Sequence, residues 1–106
     1  MAKESLIRKK AVDILTKDKW VIWWPAKVKF KQNDIFGIFD LACCKKGTGD
    51  IKFIQLTTAP NLSARRKKIQ FFMAENQIKG PKASFGAEVE IWAWAAKRHE
   101  FKIETI

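Results

Sequence analysis

The stretch Phe36-Gly37-Ile38-Phe39-Asp40-Leu41-Ala42 and the later run Phe53-Ile54-Gln55-Leu56-Thr57-Thr58 decide the predicted fold. Each has the apolar content of a buried strand, yet each carries polar side chains that packing does not require. An isolated buried carboxylate is too costly to keep charged, so Asp40 must be paired, protonated or bound to a cation. Gln55 and Thr57 are two residues apart and therefore share one face of their strand. We therefore expect Asp40, Gln55 and Thr57 to meet in one cleft.

Length and charge limit the class of protein. A chain of 106 residues, of which 47% are hydrophobic, is expected to fold as a single domain over residues 1–106. Its 21 lysines and arginines against 11 acidic residues give a formal net charge of +10. So large an excess opposes compaction and suggests a polyanionic partner, such as nucleic acid or an anionic membrane. A basic protein that is merely soluble is the alternative.

Targeting signals and cysteine spacing limit the cellular compartment in which the protein is expected. No run approaches the roughly 18 apolar residues of a membrane span, and residues 1–4 lack the apolar core of a signal peptide. We therefore expect an intracellular, cytoplasmic protein without membrane contact. Cys43 and Cys44 are adjacent, and α-carbons about 3.8 Å apart are too close for ordinary disulfide geometry, which predicts reduced, packed thiols. One histidine and no spaced cysteine pair give no support to a zinc site.

Periodicity and turn residues predict two helices and five strands, and two of the five strands are the central runs. Helices are expected over residues 3–17 and 60–77, and strands over residues 20–24, 36–42, 51–58, 89–96 and 101–105. A turn over residues 45–50 joins the central strands, and a loop is expected over residues 79–86. The second helix must cross over to reach the strand after it, so this order predicts an α/β layer structure.

A lysine stripe and two tryptophans follow the first strand. Lys27, Lys29 and Lys31 alternate with other residues, so an extended backbone would place all three ammonium groups on one side, where they could contact phosphate. An edge strand whose lysines discourage aggregation fits equally well. We expect Trp23 and Trp24 in the core, like the other tryptophans; stacking on nucleic-acid bases is the alternative.

The second helix begins with the densest basic cluster of the chain, formed by Arg65, Arg66, Lys67 and Lys68. Cations near the N-terminus of a helix oppose its dipole by roughly 0.3–1 kcal/mol each, so a structural role alone does not explain four of them. Docking of a phosphate would explain them, because free amide N–H groups and guanidinium groups both bind that anion. A solvated run of charge is the alternative.

With this order of elements established, the sequence resembles the PD-(D/E)XK nuclease superfamily, and within it the small archaeal and phage Holliday junction resolvase-like nucleases. The resemblance is carried by Phe39-Asp40, where the family has Pro-Asp, and by Phe53-Ile54-Gln55-Leu56-Thr57, where it has an apolar run ending in Glu-x-Lys. Thr58-Ala59-Pro60-Asn61 and the basic helix also fit. The resemblance implies a restriction-endonuclease-like αβββαββ core with a central mixed β-sheet flanked by helices.

The resemblance further implies a DNA endonuclease or Holliday junction resolvase that uses Mg²⁺ or Mn²⁺ on duplex or branched DNA. By position, Asp40, the amide oxygen of Gln55 and the backbone carbonyl of Leu56 are the implied metal ligands. Thr57 replaces the lysine that orients or deprotonates water, and Glu4 stands near an additional acid of resolvase-type members. Because Gln and Thr replace Glu and Lys, a catalytically inactive DNA-binding module on the same fold is the alternative. Two symmetric cuts in a junction need two sites, so a homodimer is expected.

Overall fold

A computed structural model describes residues 4–25, 27–28, 31–32, 34–76 and 87–106, with two helices and seven strands. Helix α1 spans Glu4–Lys17 and helix α2 spans Leu62–Glu75, preceded by a 3₁₀ turn at Ala59–Asn61. The strands are β1 Trp20–Trp23, β2 Lys27–Val28, β3 Lys31–Gln32, β4 Leu41–Lys45, β5 Ile51–Thr58, β6 Glu88–Ala95 and β7 Glu100–Thr105. Neither α1 nor α2, at 14 residues each, has the length and apolar content to cross a bilayer.

Five strands form one mixed sheet in the order β1-β4-β5-β6-β7. Strands β5 and β6 are parallel because α2 lies between them along the chain, and the other neighbouring pairs are antiparallel. Strands β2 and β3 form a separate two-stranded ribbon. The α/β class and the mixed sheet expected from the sequence are therefore confirmed.

The two helices cover opposite faces of the sheet. The buried stripe of α1, Ile7, Ala11 and Leu15, recurs every four residues and packs against Leu41, Cys43, Ile54, Leu56, Trp92 and Trp94. The buried stripe of α2 packs with a second set of core residues: Leu62, Ile69, Met73, Ile38, Phe39, Val89, Ile91 and Ala93. Because side chains alternate along β5, and Gln55 is in register with Ile91, the Gln55 and Thr57 side chains lie on the α2 face.

The strand predicted over residues 36–42 is wrong for residues 36–40. Ile35 and Phe39 close a tight turn, in which Phe36 and Gly37 have positive φ angles of 54° and 72°. Ile38 and Phe39 are buried, so this apolar run fills the core as a turn and not as a strand. Strand β4 starts only at Leu41, which leaves Asp40 on the bend just before it. The remaining predicted strands are confirmed within one or two residues.

The lysine stripe and two of the tryptophans differ from expectation. Lys27 lies on β2 and Lys31 on β3, and these two strands pair with each other, so the two lysines do not belong to one continuous extended run. Lys29 lies outside the described residues, and so does the segment 79–86, which was predicted to be a loop. Trp23 is 59% exposed at an outward position of the edge strand β1, and Trp24, the residue after β1, is 37% exposed with Arg8 of α1 over its ring. The expectation that these two tryptophans lie in the core is therefore wrong.

Candidate functional site

The candidate site forms where β5 continues past the start of β4. The first paired residues of the two strands are Leu41 and Ile54, and the backbone N–H of Asp40 donates to the Ile54 carbonyl oxygen at 2.8 Å. Two residues further along β5, the N–H and C=O of Leu56 point to the same side, where β4 has no residue to pair with them. Buried backbone groups need partners, so side chains must supply them here.

Asp40 and Gln55 provide those partners. The Leu56 N–H donates to Asp40 Oδ2 at 2.7 Å, and Gln55 Nε2 donates to the Leu56 carbonyl oxygen at 3.0 Å. The same Nε2 donates to Asp40 Oδ2 at 2.9 Å. The Asp40 and Gln55 side chains thus continue the β4–β5 hydrogen-bond ladder past the first residue of β4. The structure thereby brings together Asp40, Gln55 and Leu56, the three metal ligands that the resemblance implies.

The amide orientation of Gln55 leaves one buried acceptor. Gln55 is only 5% exposed, and its Oε1 has no hydrogen-bond partner in the described part of the chain. Turning the amide over would place Oε1 against Asp40 Oδ2 and the Leu56 carbonyl, which are also acceptors. The observed orientation therefore avoids two repulsive contacts at the expense of an unsatisfied buried oxygen, which typically costs about 1–3 kcal/mol.

This donor set suits a hard divalent cation. A carboxylate, an amide oxygen and a backbone carbonyl are the kinds of oxygen ligand that Mg²⁺ and Mn²⁺ take. Asp40 Oδ2, the Leu56 carbonyl oxygen and Gln55 Oε1 can converge only if the Gln55 amide rotates by half a turn. Because all three are then hydrogen-bond acceptors, that arrangement is favourable only when a cation lies between them. No cluster of three or more His, Cys, Asp or Glu side chains suited to a metal occurs among the described residues. Asp40 is the charged member of this donor set.

Thr57 and Glu4, the other two residues to which the resemblance gives a catalytic role, lie on opposite faces of the sheet. Thr57 is buried on the face of β5 that carries Gln55, and it lies in register with Ala93. The backbone of Glu4 opens α1, on the opposite face of the sheet, and its side chain lies outside the described residues. The structure therefore places Thr57 near the candidate ligands and does not describe the Glu4 carboxylate.

The basic cluster divides into one paired and three unpaired cations. Arg66 makes a two-point contact with Glu104, in which Nη2 lies 2.8 Å from Oε2 and Nε donates to Oε1. This bond raises the pKa of Arg66 and lowers the pKa of Glu104, and it ties α2 to β7. Arg65, Lys67 and Lys68 form no ion pair with any described residue. Sequence analysis missed the Arg66 pairing, because nothing local marks a partner 38 residues away.

A second buried polar cluster lies on the other face of the sheet, under α1. Lys52 Nζ is 3.1 Å from Glu90 Oε1 and 4.3 Å from the ring centre of Trp20, and Trp92 Nε1 donates to Glu90 at 3.0 Å. Burial raises the pKa of the nearby Cys43 to about 12, so its thiol stays protonated and unreactive. We interpret this cluster as structural.

Comparison of the chain with protein-family models, with curated proteins and with solved structures finds no match in any of the three. The geometry around Asp40 is therefore the basis on which a function is assigned. Its chemistry allows two states: a site closed by the Gln55 amide, and a site in which the amide has rotated toward a cation. The first state is purely structural, and the second would offer a cation one carboxylate and two neutral oxygens, with its remaining positions left to water.

Proposed function

We propose that the protein binds nucleic acid and hydrolyses its phosphodiester bonds at a site formed by Asp40, Gln55 and Leu56. The observation that carries the proposal is the buried, unpartnered Oε1 of Gln55 beside a carboxylate and a backbone carbonyl. A bound Mg²⁺ or Mn²⁺ would supply an acidified water and stabilise charge on the phosphate. Asp40 would anchor the ion, and the Gln55 amide would gain the partner that its oxygen lacks.

The order of elements supports the proposed restriction-endonuclease-like αβββαββ core. Strands β1, β4 and β5 form an antiparallel meander, α2 follows, and β6 returns parallel to β5. Asp40 lies at the start of β4 and Gln55 lies within β5, in the positions that the resemblance implies. Under this proposal, Thr57 takes the place of the catalytic lysine, and it can orient a water by hydrogen bonding without accepting its proton at neutral pH.

The proposed partner is DNA, either duplex or branched. The formal charge of +10 and the unpaired Arg65, Lys67 and Lys68 on α2 supply a surface for phosphates. Symmetric cutting of a junction would need a homodimer, for which Phe71, 65% exposed on α2, offers an apolar contact. The two free cysteines fit the reducing cytoplasm in which we place the protein.

A second candidate function is a catalytically inactive DNA-binding module. The observation that favours it is the position of Gln55 Nε2, which already contacts both Asp40 Oδ2 and the Leu56 carbonyl oxygen. An amide nitrogen there satisfies both oxygens without a cation, and Gln55 then only extends the ladder. Both candidates share the basic surface and differ only in whether the amide gives way to a metal ion.

Incubation of supercoiled plasmid and a four-way junction with Mn²⁺, Mg²⁺ or EDTA separates the two. The wild-type protein is compared with Asp40→Asn, which keeps an acceptor for Leu56 N–H but loses the charge. Metal-dependent cleavage that disappears in Asp40→Asn while DNA binding persists supports the nuclease. Binding without cleavage under any metal condition supports the inactive module. A wild-type protein that neither binds nor cuts DNA contradicts both.

A further inference from the structure

A concave pocket opens at the carboxyl ends of β5 and β6, separate from the Asp40 site. Its volume is about 430 Å³, within the usual range for small-molecule sites. Its lining is mostly apolar, with Pro60, Trp94 and Ala96 among the contributors, and it also includes Lys97 and Arg98. Ligands of open α/β sheets bind outside the carboxyl ends of parallel strands, and β5 and β6 are a parallel pair.

The pocket and the candidate cation site are both built on β5, but they face opposite sides of the sheet: Thr58 is in register with Trp94 of the α1-side core, and Gln55 with Ile91 of the α2-side core. Thr58 lines the pocket and follows Gln55 by three residues, which corresponds to about 10 Å of extended backbone. A nucleic acid that engages both sites must therefore pass around the edge of the sheet at the carboxyl ends of β5 and β6.

The aromatic wall of the pocket is held rigidly. The Trp94 ring packs edge-on against Phe101 at 5.1 Å between ring centres, and Lys10 Nζ lies 4.9 Å from the Trp94 ring centre. His99, in the turn that follows β6, contacts the same ring at 6.4 Å and has a positive φ of 52°. Trp94 is only 8% exposed, so it forms a fixed wall and offers little free surface for stacking.

The polar groups of the pocket are complementary to a phosphate ester. Among the described residues, no acidic side chain lines the pocket and neither Lys97 nor Arg98 belongs to an ion pair. Asn61 Nδ2 donates to Thr58 Oγ1 at 3.1 Å, which leaves the hydroxyl hydrogen of Thr58 available to a ligand. An apolar cavity with two unpaired cations and a hydroxyl donor suits a planar ring that carries a phosphate.

We propose that this pocket receives one unpaired nucleobase of the bound nucleic acid, with its phosphate held by Lys97 and Arg98. The inference rests on the proposed function and deepens it, because a base can enter such a pocket only after it has left a duplex. The substrate class that follows is DNA with a single-stranded flap or branch next to a duplex. Fully paired DNA would engage the basic surface but leave the pocket empty.

The test compares two flapped duplexes that carry the same phosphates, one with ordinary bases in the flap and one with abasic sites. Binding is measured by fluorescence anisotropy in EDTA, so the result does not depend on cleavage. We expect the wild-type protein to bind the base-bearing flap about tenfold more tightly, because the apolar lining of the pocket removes part of the base surface from water. Ala96→Trp fills the pocket from an exposed position and should abolish this preference while leaving affinity for the abasic flap unchanged.

Two matched controls keep the test specific. Ala74→Trp makes the same substitution at an exposed position of α2 and should retain the tenfold preference. Lys97→Ala should weaken binding of both flaps, whereas Lys46→Ala, in the exposed turn between β4 and β5, should not. If Ala96→Trp fails to fold, as judged by circular dichroism, the two lysine variants still decide the phosphate contact.

Each outcome has one meaning. Equal wild-type affinity for the two flaps, or a preference that survives in a folded Ala96→Trp variant, overturns the pocket assignment and leaves the proposed function intact. Equal effects of Lys97→Ala and Lys46→Ala overturn the phosphate contact. A wild-type protein that binds neither flap at low salt contradicts the proposed function itself.

Discussion

Lys52 and Gln55 lie three residues apart on β5 and face opposite sides of the sheet. Lys52 Nζ contacts Glu90 Oε1 at 3.1 Å under α1, whereas Gln55 Nε2 donates to Asp40 Oδ2 at 2.9 Å on the α2 face. The separation follows from the two-residue period of a strand. Under the proposed function, Lys52 therefore cannot act in place of the catalytic lysine whose position Thr57 would occupy, although Lys52 lies on the same strand.

Lys52 is predicted to contribute to stability and not to the chemistry at Asp40. Replacing it by Met keeps most of its length but leaves a largely buried Glu90 without its cation, which should lower the free energy of unfolding by about 3 kcal/mol. Urea denaturation measures this loss. The double variant Lys52→Met with Glu90→Gln should recover part of it, because no charge is then left unpaired. A single variant within about 0.5 kcal/mol of wild type would contradict the interpretation.

Gln55→Glu is predicted to make folding dependent on a divalent cation. The variant places a carboxylate against Asp40 Oδ2 and the Leu56 carbonyl and removes two donated hydrogen bonds, so the metal-free protein should lose about 2 kcal/mol. Mn²⁺ should restore stability, because it separates the three oxygens. Thermal unfolding with Mn²⁺ and with EDTA measures the difference. Gln55→Leu serves as the control, since it loses the same bonds but gains no ligand; equal responses of the two variants to Mn²⁺ would refute the donor set.

The Arg66–Glu104 pair is predicted to stabilise the protein in a pH-dependent way. The hydrogen bond from Arg66 lowers the pKa of Glu104 in the folded state, so the stabilisation is present above the ordinary glutamate pKa. It is lost as the pH falls through the lower folded-state value, where the carboxyl becomes protonated. The stability difference between wild type and Glu104→Gln should therefore be largest near neutral pH and shrink in acid. A difference that stays constant between pH 7 and pH 3 would argue against the pair as its source.

The unpaired lysines of α2 are predicted to contact phosphates independently of sequence. Lys68→Ala should weaken DNA binding for all sequences and reduce the slope of log affinity against log salt by about 1. Lys46 is an exposed lysine in the turn between β4 and β5. Lys46→Ala removes the same charge at a distance from α2 and should leave the slope unchanged. Titrations at several salt concentrations measure both slopes, and identical slopes for the two variants would assign the attraction to net charge alone.

The order of elements was predictable because its signals are local. The stripe of Ile7, Ala11 and Leu15 and the alternation along β5 each follow from one helical or strand period. The turn over Ile35–Phe39 was not predictable in this way, because its apolar residues fill the core just as strand residues would. The positive φ of Phe36 is an unusual conformation for a non-glycine residue, and hydrophobicity does not signal it.

The candidate site was predictable only in outline. The same-face spacing of Gln55 and Thr57, together with the buried environment of Asp40, indicated a cluster. The orientation of the Gln55 amide depends on where β4 begins relative to β5. That register comes from tertiary packing. The bond between Arg66 and Glu104 likewise joins elements that no local pattern connects.

The parallel pairing of β5 with β6 also constrains how the chain is built. Gln55 is in register with Ile91, so the residues that complete one side of β5 leave the ribosome 36 residues after it. Until then, the nascent β1-β4-β5 meander presents an open, apolar edge of the kind that recruits strands from other chains. Early docking of α2 shields one face of that meander but not its edge. The interval before β6 emerges is therefore the stage of synthesis at which the edge of β5 is open to pairing with other strands.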